Sequence, residues 1–550
     1  MFNEREIIDG ELFETLMLAG AANLKANLQT INDLNVFPVP DGDTGDNMYL
    51  TLKGGVTELA NAGGTLSEKA KAVAQGMLLG ARGNSGVILS QIFFGISEGL
   101  SALQEASLIE FCTALKEGVN YAYKAVAKPV EGTILTVARE AAEAVIERQE
   151  GYQTAEELFV DYLSEMKKSL EGTPEKLAVL KEAGVVDSGG AGLVCIVEGF
   201  CKAICGEEIV GGEIAATENA QVDFSKFDEN AVMQFGYCTE LLLRLQTAKT
   251  DVENFSVEPL VAFLNEIGDS VVAVKTGSVV KIHVHTLSPW KVLEYCQRYG
   301  EYLTVKIENM TLQHGGAKEE EKVKKAVKPH KKYAVVTVAA GEGLKAMFTD
   351  MGADEVVDGG QTNNPSAEDF LRAFDEVNAD TIFVLPNNGN IVMAAKQAAG
   401  MYEGSRVIVV ESKNVGEGYS ALSAVDFELD DADEIAMQMA ESMAETKTGM
   451  VARAVRDADL NGVAVRKDCY MGFTDKLMLL CEKTRTDAAV KLAETLGVAD
   501  KEFLIAIYGE GVTDEEKKAF VARLEGEYGD LEVFGIDGGQ EVYDFLLILE

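Results

Sequence analysis

Between Asn35 and Met48 the chain reads Asn-Val-Phe-Pro-Val-Pro-Asp-Gly-Asp-Thr-Gly-Asp-Asn-Met. No regular element runs through such a stretch. Pro38 and Pro40 forbid a continuous helix, and Gly42 and Gly45 let the backbone turn tightly. Asp41, Asp43 and Asp46 are crowded together, and hard carboxylate oxygens suit magnesium or calcium rather than zinc. An EF-hand fails on either register: counting from Asp41 places Leu52 where the bidentate Glu belongs, and counting from Asp43 places Gly54 there. Magnesium fits better, because it keeps waters and completes its shell with nucleotide phosphates. An isolated Asp-Gly-Asp is more often a polar turn. The rest of the chain decides against that here.

Phosphate-binding turns recur downstream, though not in the commonest form. No Gly-Lys pair occurs, so there is no lysine-bearing phosphate loop of the Walker type. The small-residue turns are Gly83-Asn84-Ser85-Gly86, Glu131-Gly132-Thr133 and Asp187-Ser188-Gly189-Gly190, each able to bring backbone N–H groups to an oxyanion. The first histidine after these turns, and the first in the chain, is His283. A Ser-His-Asp or Cys-His mechanism is therefore excluded from this region, and Ser85 lacks a G-x-S-x-G context. Phosphoryl transfer, which depends on positioning and charge neutralisation, suits such residues.

From Gly10 to about Gly206 the pattern predicts helices, with Leu12, Phe13, Leu16 and Met17 on one stripe. Thr65-x-x-Glu68 and Thr154-x-x-Glu157 read as capping boxes, and Thr173-Pro174 as an N-cap with proline at the first helical position. The loops between such helices gather at one end of a bundle. Cys195, Cys201 and Cys205 lie among Val194, Ile196, Val197 and Phe200 and read as buried structural thiols. Residues 211–230 read as a linker. Strands then begin: Val271–Val274 and Val279–His285 flank Gly277 as a hairpin. His283 and His285 point to one face of their strand, and Cys238 could add a thiolate from a second strand. Two His and one Cys suit zinc; a pH-sensitive or merely packed pair is the alternative. Lys318–Lys332 carries seven lysines and three glutamates and reads as a solvated linker. From Tyr333 the pattern turns α/β, with strands at Tyr333–Val338, Thr381–Leu385 and Arg406–Val410 and a capping box at Ser366-x-x-Asp369. Gly341-x-Gly343-x-x-Ala346 imitates a dinucleotide fingerprint, but no acid ends the next strand at the right distance.

The 550 residues suggest about three domains, and 47% hydrophobic content is ample for their cores. With 49 Lys+Arg against 90 Asp+Glu, the net charge of −41 repels nucleic acid and anionic lipid. Met1–Gly10 lacks an apolar h-region, no run of eighteen apolar residues exists, and eight cysteines without framework spacing point to a reducing cytoplasm.

The 35–48 stretch, Ala81-Arg82-Gly83-Asn84-Ser85-Gly86-Val87-Ile88-Leu89-Ser90-Gln91, Glu131-Gly132-Thr133 and Val186-Asp187-Ser188-Gly189-Gly190-Ala191-Gly192 together resemble the nucleotide-binding domain of the dihydroxyacetone kinase family. The whole chain resembles, more closely, the ATP-binding subunits of bacterial fatty acid kinases. The resemblance implies a multidomain fold. An all-α helical barrel at 1–210 would carry the nucleotide at its rim. A small α/β middle domain would occupy 225–316, and an α/β C-terminal domain of DegV-like type 333–550. It implies ATP and Mg2+ as cofactors, with Asp41 and Asp43 carrying catalysis as metal ligands and Asn35 standing near where relatives carry a further acid. Thr44, Gly45, Asn47, Met48, Asn84, Ser85, Gly86, Gly132, Thr133, Asp187 and Gly189 would hold nucleotide or phosphates. Cys238, His283 and His285 match a zinc site. The implied reaction moves the γ-phosphoryl group of ATP to a fatty acyl carboxylate presented by a DegV-type fatty acid-binding protein. A homodimer stays open. The rivals are a dihydroxyacetone-type kinase and a non-catalytic nucleotide-binding coactivator or scaffold.

Overall fold

The computed structural model describes residues 5–35, 42–59, 62–207, 237–252, 255–276, 278–309, 330–361, 363–454, 457–460, 462–475 and 477–549. The chain forms two compact units, Met1–Ile214 with Lys328–Glu550, and Ala215–Val327.

The first part of the larger unit is helical, from Gly10–Ala26 to Ser188–Cys205, with one strand pair, Ile7–Asp9 against Glu105–Ser107. The expected stripe of Leu12, Phe13, Leu16 and Met17 is buried. Burying one such side chain contributes about 1.5–3 kcal/mol. It meets Phe111, Phe159 and Phe200 in a common core. Thr65 and Glu68 form the expected reciprocal cap. Thr154 caps its helix through Glu157 N–H, but the Glu157 carboxylate accepts from Gln153 N–H instead of closing the box. Thr173 is not an N-cap: it lies inside its short helix, donates its hydroxyl to Leu170 O and accepts from Asp187 N–H. Ser188–Cys205 is long and apolar enough to cross a membrane by composition, but it is a core helix with Leu193, Ile196, Val197 and Phe200 buried. Cys195 is buried and Cys201 half-buried, but Cys205 is exposed, against expectation.

The second part of this unit is α/β. Four parallel strands run in the order Arg406–Val409, Ala379–Leu385, Lys331–Ala339, Glu355–Asp358. Helices cover both faces of such a sheet, so its strands read as continuous apolar runs. A six-stranded mixed sheet follows, ordered Met478–Glu482, Tyr470–Phe473, Lys447–Arg453, Phe545–Leu549, Phe503–Tyr508, Glu532–Asp537. Ser366 and Asp369 form the expected capping box. Gly341 and Gly343 have a packing reason rather than a nucleotide one: a Cβ on either would strike the backbone at Asp537–Gly539. Cys469 and Cys481 are disulfide-bonded, Cα atoms 6.2 Å apart, an exception to the free thiols that the cysteine spacing suggests.

The smaller unit is a four-stranded antiparallel sheet, Asp269–Thr276, Val279–Thr286, Tyr237–Leu245, Gly300–Asn309, with helices Glu258–Ile267 and Pro289–Cys296. The expected hairpin is present; Gly277 at its turn lies outside the described residues, as do both linker readings apart from His330, Lys331 and Lys332.

Candidate active site

The four turns singled out in the sequence all open long helices. Thr44–Leu59, Gly83–Gly99, Ile134–Glu147 and Ser188–Cys205 each begin at one of them. A helix N-terminus carries unsatisfied N–H groups and the positive end of the macrodipole. The first N-terminus is joined to the last by Ser188 Oγ donating to Thr44 Oγ1 at 3.1 Å. It abuts the second because a Cβ on Gly83, at φ +56°, would lie 2.6 Å from Asn47 Nδ2. The third joins the last where Ile134 N–H donates to the Asp187 carboxylate. Four positive helix ends are thus linked in one chain of contacts.

Asp43 sits at the head of the Thr44 helix, its carbonyl accepting Asn47 N–H at 2.8 Å. Its side chain is 7% exposed. Burial pushes the carboxyl up to about 6, against hydrogen bonds from Asn47 and Asn364 that favour the charged form. The helix is capped from elsewhere. Asn32 Oδ1 accepts Gly45 N–H at 2.7 Å, and Asn32 Nδ2 donates to Asp46 Oδ2 at 2.7 Å. Asp43 is therefore released from capping, and among the described residues its oxygens meet side-chain amides and its own backbone N–H. Asn364 Nδ2 donates to Oδ2 at 2.5 Å, and Asn35 Nδ2 reaches Oδ1 only at 3.5 Å.

Among the described residues no side chain caps the Gly83 helix, whose preceding residue is Arg82. Asn84 and Ser85 are half-exposed there, and Gly86 N–H is taken by Arg82 O at 3.1 Å. The Ile134 helix likewise has no side-chain cap hydrogen bond, and an uncapped helix N-terminus suits an anion. The Ser188 helix is closed: Asp187 accepts Gly190 N–H at 2.7 Å, and burial pushes its carboxyl up to about 6. Gly189 packs close to Ile134 beside that cap. Gly132 N–H goes to Thr136 Oγ1 at 2.8 Å and Thr133 Oγ1 to Val130 O at 2.8 Å, so this turn satisfies itself. Met48 is fully buried, under the position where a Cβ on Gly192 would lie 2.4 Å from its sulfur. Asp41 lies outside the described residues.

Three residues at the site were not among the expected ones. Asn32 caps a helix to which it does not belong, and only its place upstream of Asn35 hints at it. Arg82 donates to Asn364 O at 2.8 Å and lies 3.6 Å from Asp369. Asn364 comes from the α/β part of the unit, far away in sequence.

The oxygen donors fit magnesium: a buried carboxylate free of backbone capping, beside an uncapped helix N-terminus for phosphates. Among the described residues no group of three His, Cys, Asp or Glu side chains could hold a metal, so phosphate and water oxygens would complete its shell. For zinc, the register pairs Cys238 with His285 and Glu240 with His283. Paired positions share a face. The side chains of Cys238, His283 and His285 lie outside the described residues.

Family models match in three stretches: a DAK2 domain over residues 38–202, the middle domain of FakA-like fatty acid kinase proteins over 234–317, and their C-terminal domain over 334–550. Protein YloV of Bacillus subtilis (strain 168) is 39% identical over 99% of both chains. An uncharacterized protein of Staphylococcus aureus (strain USA300) is 37% identical over 99% of both. Among solved structures, a DegV family protein from Corynebacterium glutamicum matches 40% of this chain and 97% of its own, with 15% identity and a TM-score of 0.31. The dihydroxyacetone kinase of C. freundii in complex with AMP-PNP and Mg2+ matches 35% of this chain and 34% of its own, with 16% identity and a TM-score of 0.28.

Proposed function

This chain belongs to the family of FakA-like fatty acid kinase subunits, and from that premise we propose that it transfers the γ-phosphoryl group of ATP to a fatty acid carboxylate. The observation that carries the reading is Asp43: buried, released from helix capping by Asn32, and set beside the uncapped Gly83 helix. Asp43, with Asp41 and Asn35 nearby in sequence, would hold Mg2+, which when bound neutralises charge on the phosphates. The N–H groups at Gly83–Ser85 would take phosphate oxygens, and the Thr44 and Ser188 hydroxyls would orient them. One carboxylate oxygen of the acid bonds to the γ-phosphorus as the bond to the β,γ-bridging oxygen breaks, and ADP leaves with the electron pair. A carboxylate is already a nucleophile at pH 7, so the step needs no general base.

The reading divides the chain into a helical barrel at 1–210, a middle domain at 225–316 and a DegV-type domain at 333–550, at work in the cytoplasm. It also gives the acyl chain to a separate DegV-type carrier. The apolar cavity enclosed by the helices near Phe93 and Phe111 has a volume of about 30 Å3, room for little more than a water molecule. A cavity of about 390 Å3 opens at the carboxyl ends of the parallel strands, near Gly341 and Asn388, but among the described residues no Lys, Arg or His lines it to receive a carboxylate. In the middle domain, Cys238, His283 and His285 would hold a structural zinc, which elemental analysis of dialysed protein tests.

The full chain with ATP, Mg2+ and oleate should form acyl phosphate, trapped as the hydroxamate, when a DegV-type fatty acid-binding protein is added. Nucleotide binding without product would make it a scaffold. Equal turnover on free oleate would remove the carrier, and turnover on dihydroxyacetone would favour the other kinase.

A further inference from the structure

Asp43 is held from two parts of the chain, and the nearer hydrogen bond comes from the more distant part. Asn364 is 3% exposed, and its amide orientation is fixed by its neighbours. Its Nδ2 faces two acceptors, Asp43 Oδ2 at 2.5 Å and Asn47 Oδ1 at 3.5 Å. Its Oδ1 faces the amide of Asn388 at 3.5 Å. A flipped amide would set oxygen against two oxygens. The backbone around it is clamped to the helical part. Arg82 donates to Asn364 O, Arg82 and Ser366 form a β-bridge, and Ala367 N–H reaches Ala81 O at 3.3 Å. These contacts fix Asn364 at the end of a β-bridged segment rather than on a free loop.

We propose that Asn364 is a positioning residue for the metal site: its amide holds Asp43 Oδ2 so that Oδ1 is presented to the divalent cation. The inference rests on the reading of Asp43 as a ligand. A ligating carboxylate is usually oriented by a hydrogen bond to its other oxygen, and losing that partner costs about 10–100-fold in metal affinity. Asn35 at 3.5 Å is too distant to fix the group, and Asn47, which also bonds the carboxylate, is itself faced by the Asn364 amide. The C-terminal domain is in this way part of the site, and docking of the two parts and metal affinity are coupled.

The test uses the full chain and Mn2+, read by electron paramagnetic resonance with and without ATP. Asn364→Leu keeps the volume and removes the donors. Asn364→Asp keeps the shape and reverses the interaction, and it carries the test if Asn364→Leu does not fold. Both should bind Mn2+ about tenfold more weakly or worse. The Mg2+ concentration for half-maximal rate should rise, while the rate at saturating Mg2+ recovers in Asn364→Leu. Wild-type affinity in both variants overturns the inference, and tighter binding by Asn364→Asp overturns it too, by making position 364 a ligand. Absence of Mn2+ binding in the wild type would instead overturn the reading of Asp43.

Discussion

Asp43 and Asp187 stand at corresponding places, each just ahead of a long helix in a glycine-rich turn, and burial lifts both carboxyls to about 6. Their partners differ. Asp187 accepts backbone N–H groups from Gly190 and Ile134, the ordinary duty of an N-cap. Asp43 is excused from that duty because Asn32 performs it, so its carboxylate meets exchangeable side-chain amides. Two aspartates whose carboxyls are lifted alike therefore have different chemistry, and what separates them is a third residue on a preceding helix. A carboxylate engaged with backbone amides is a structural brace. One held by an asparagine through a single oxygen keeps its other oxygen for a cation.

The comparison can be broken most decisively at Asp43 itself. Asp43→Ala should fold and yet lose phosphoryl transfer to roughly one hundredth of wild type or less, the scale of a lost metal partner; normal ATP turnover would sink the assignment. Next comes pH. A carboxyl whose folded pKa lies above its usual 3.8 binds its proton more tightly in the native state, so its stabilising contribution is present below about pH 4 and is lost as pH rises through about 6. Metal-free Asp43→Asn should therefore be more stable than wild type at pH 7, by up to about 3 kcal/mol, and no more stable at pH 4. Urea unfolding at the two pH values measures this, and an equal difference at both would be wrong for a buried carboxylate. Asp187→Ala should cost about 1–2 kcal/mol as a lost cap, while Asp187→Asn costs much less. Retained Mn2+ affinity in Asp187→Asn would confirm the division of labour. Asn32→Ala should have the smallest effect on stability, about 1 kcal/mol, but Asp43 then turns to cap its own helix. Weakened Mn2+ binding in this variant, at a distance from the cation, is the sharpest form of the comparison.

What the sequence made legible was local. The capping boxes at Thr65 and Ser366 follow from residues three apart, and the four turns follow from glycine and small polar residues in short runs. Three of the four parallel strands announce themselves as apolar runs, whereas Glu355–Asp358 at the sheet edge, bounded by two acids, does not. What stayed hidden was relational. Thr173 before Pro174 has the local signature of an N-cap, but its hydroxyl is drawn to Leu170 O and Asp187 N–H by the packing of the following turn. Met48 sits among ligand candidates in sequence, but helical geometry turns it inward against Gly192. Asn364 meets Asp43 only because the fold brings together residues more than three hundred positions apart. No periodicity encodes such a meeting.

Ala81, just before the Gly83 helix, and Val87, inside it, are buried in the same apolar cluster as Phe370, Phe374 and Ile391 of the α/β part. Ribosomes add about 5–20 residues per second, so roughly half a minute separates synthesis of the two sides of that cluster. During this interval the helical part carries a bare apolar patch beside its glycine-rich turns, a sticky surface in a nascent chain. It is covered in the same event that delivers Asn364 to Asp43. Completion of the proposed metal site is thereby tied to the protection of the nascent chain, and a chain stalled before residue 364 would carry that apolar patch uncovered and lack the hold on its carboxylate.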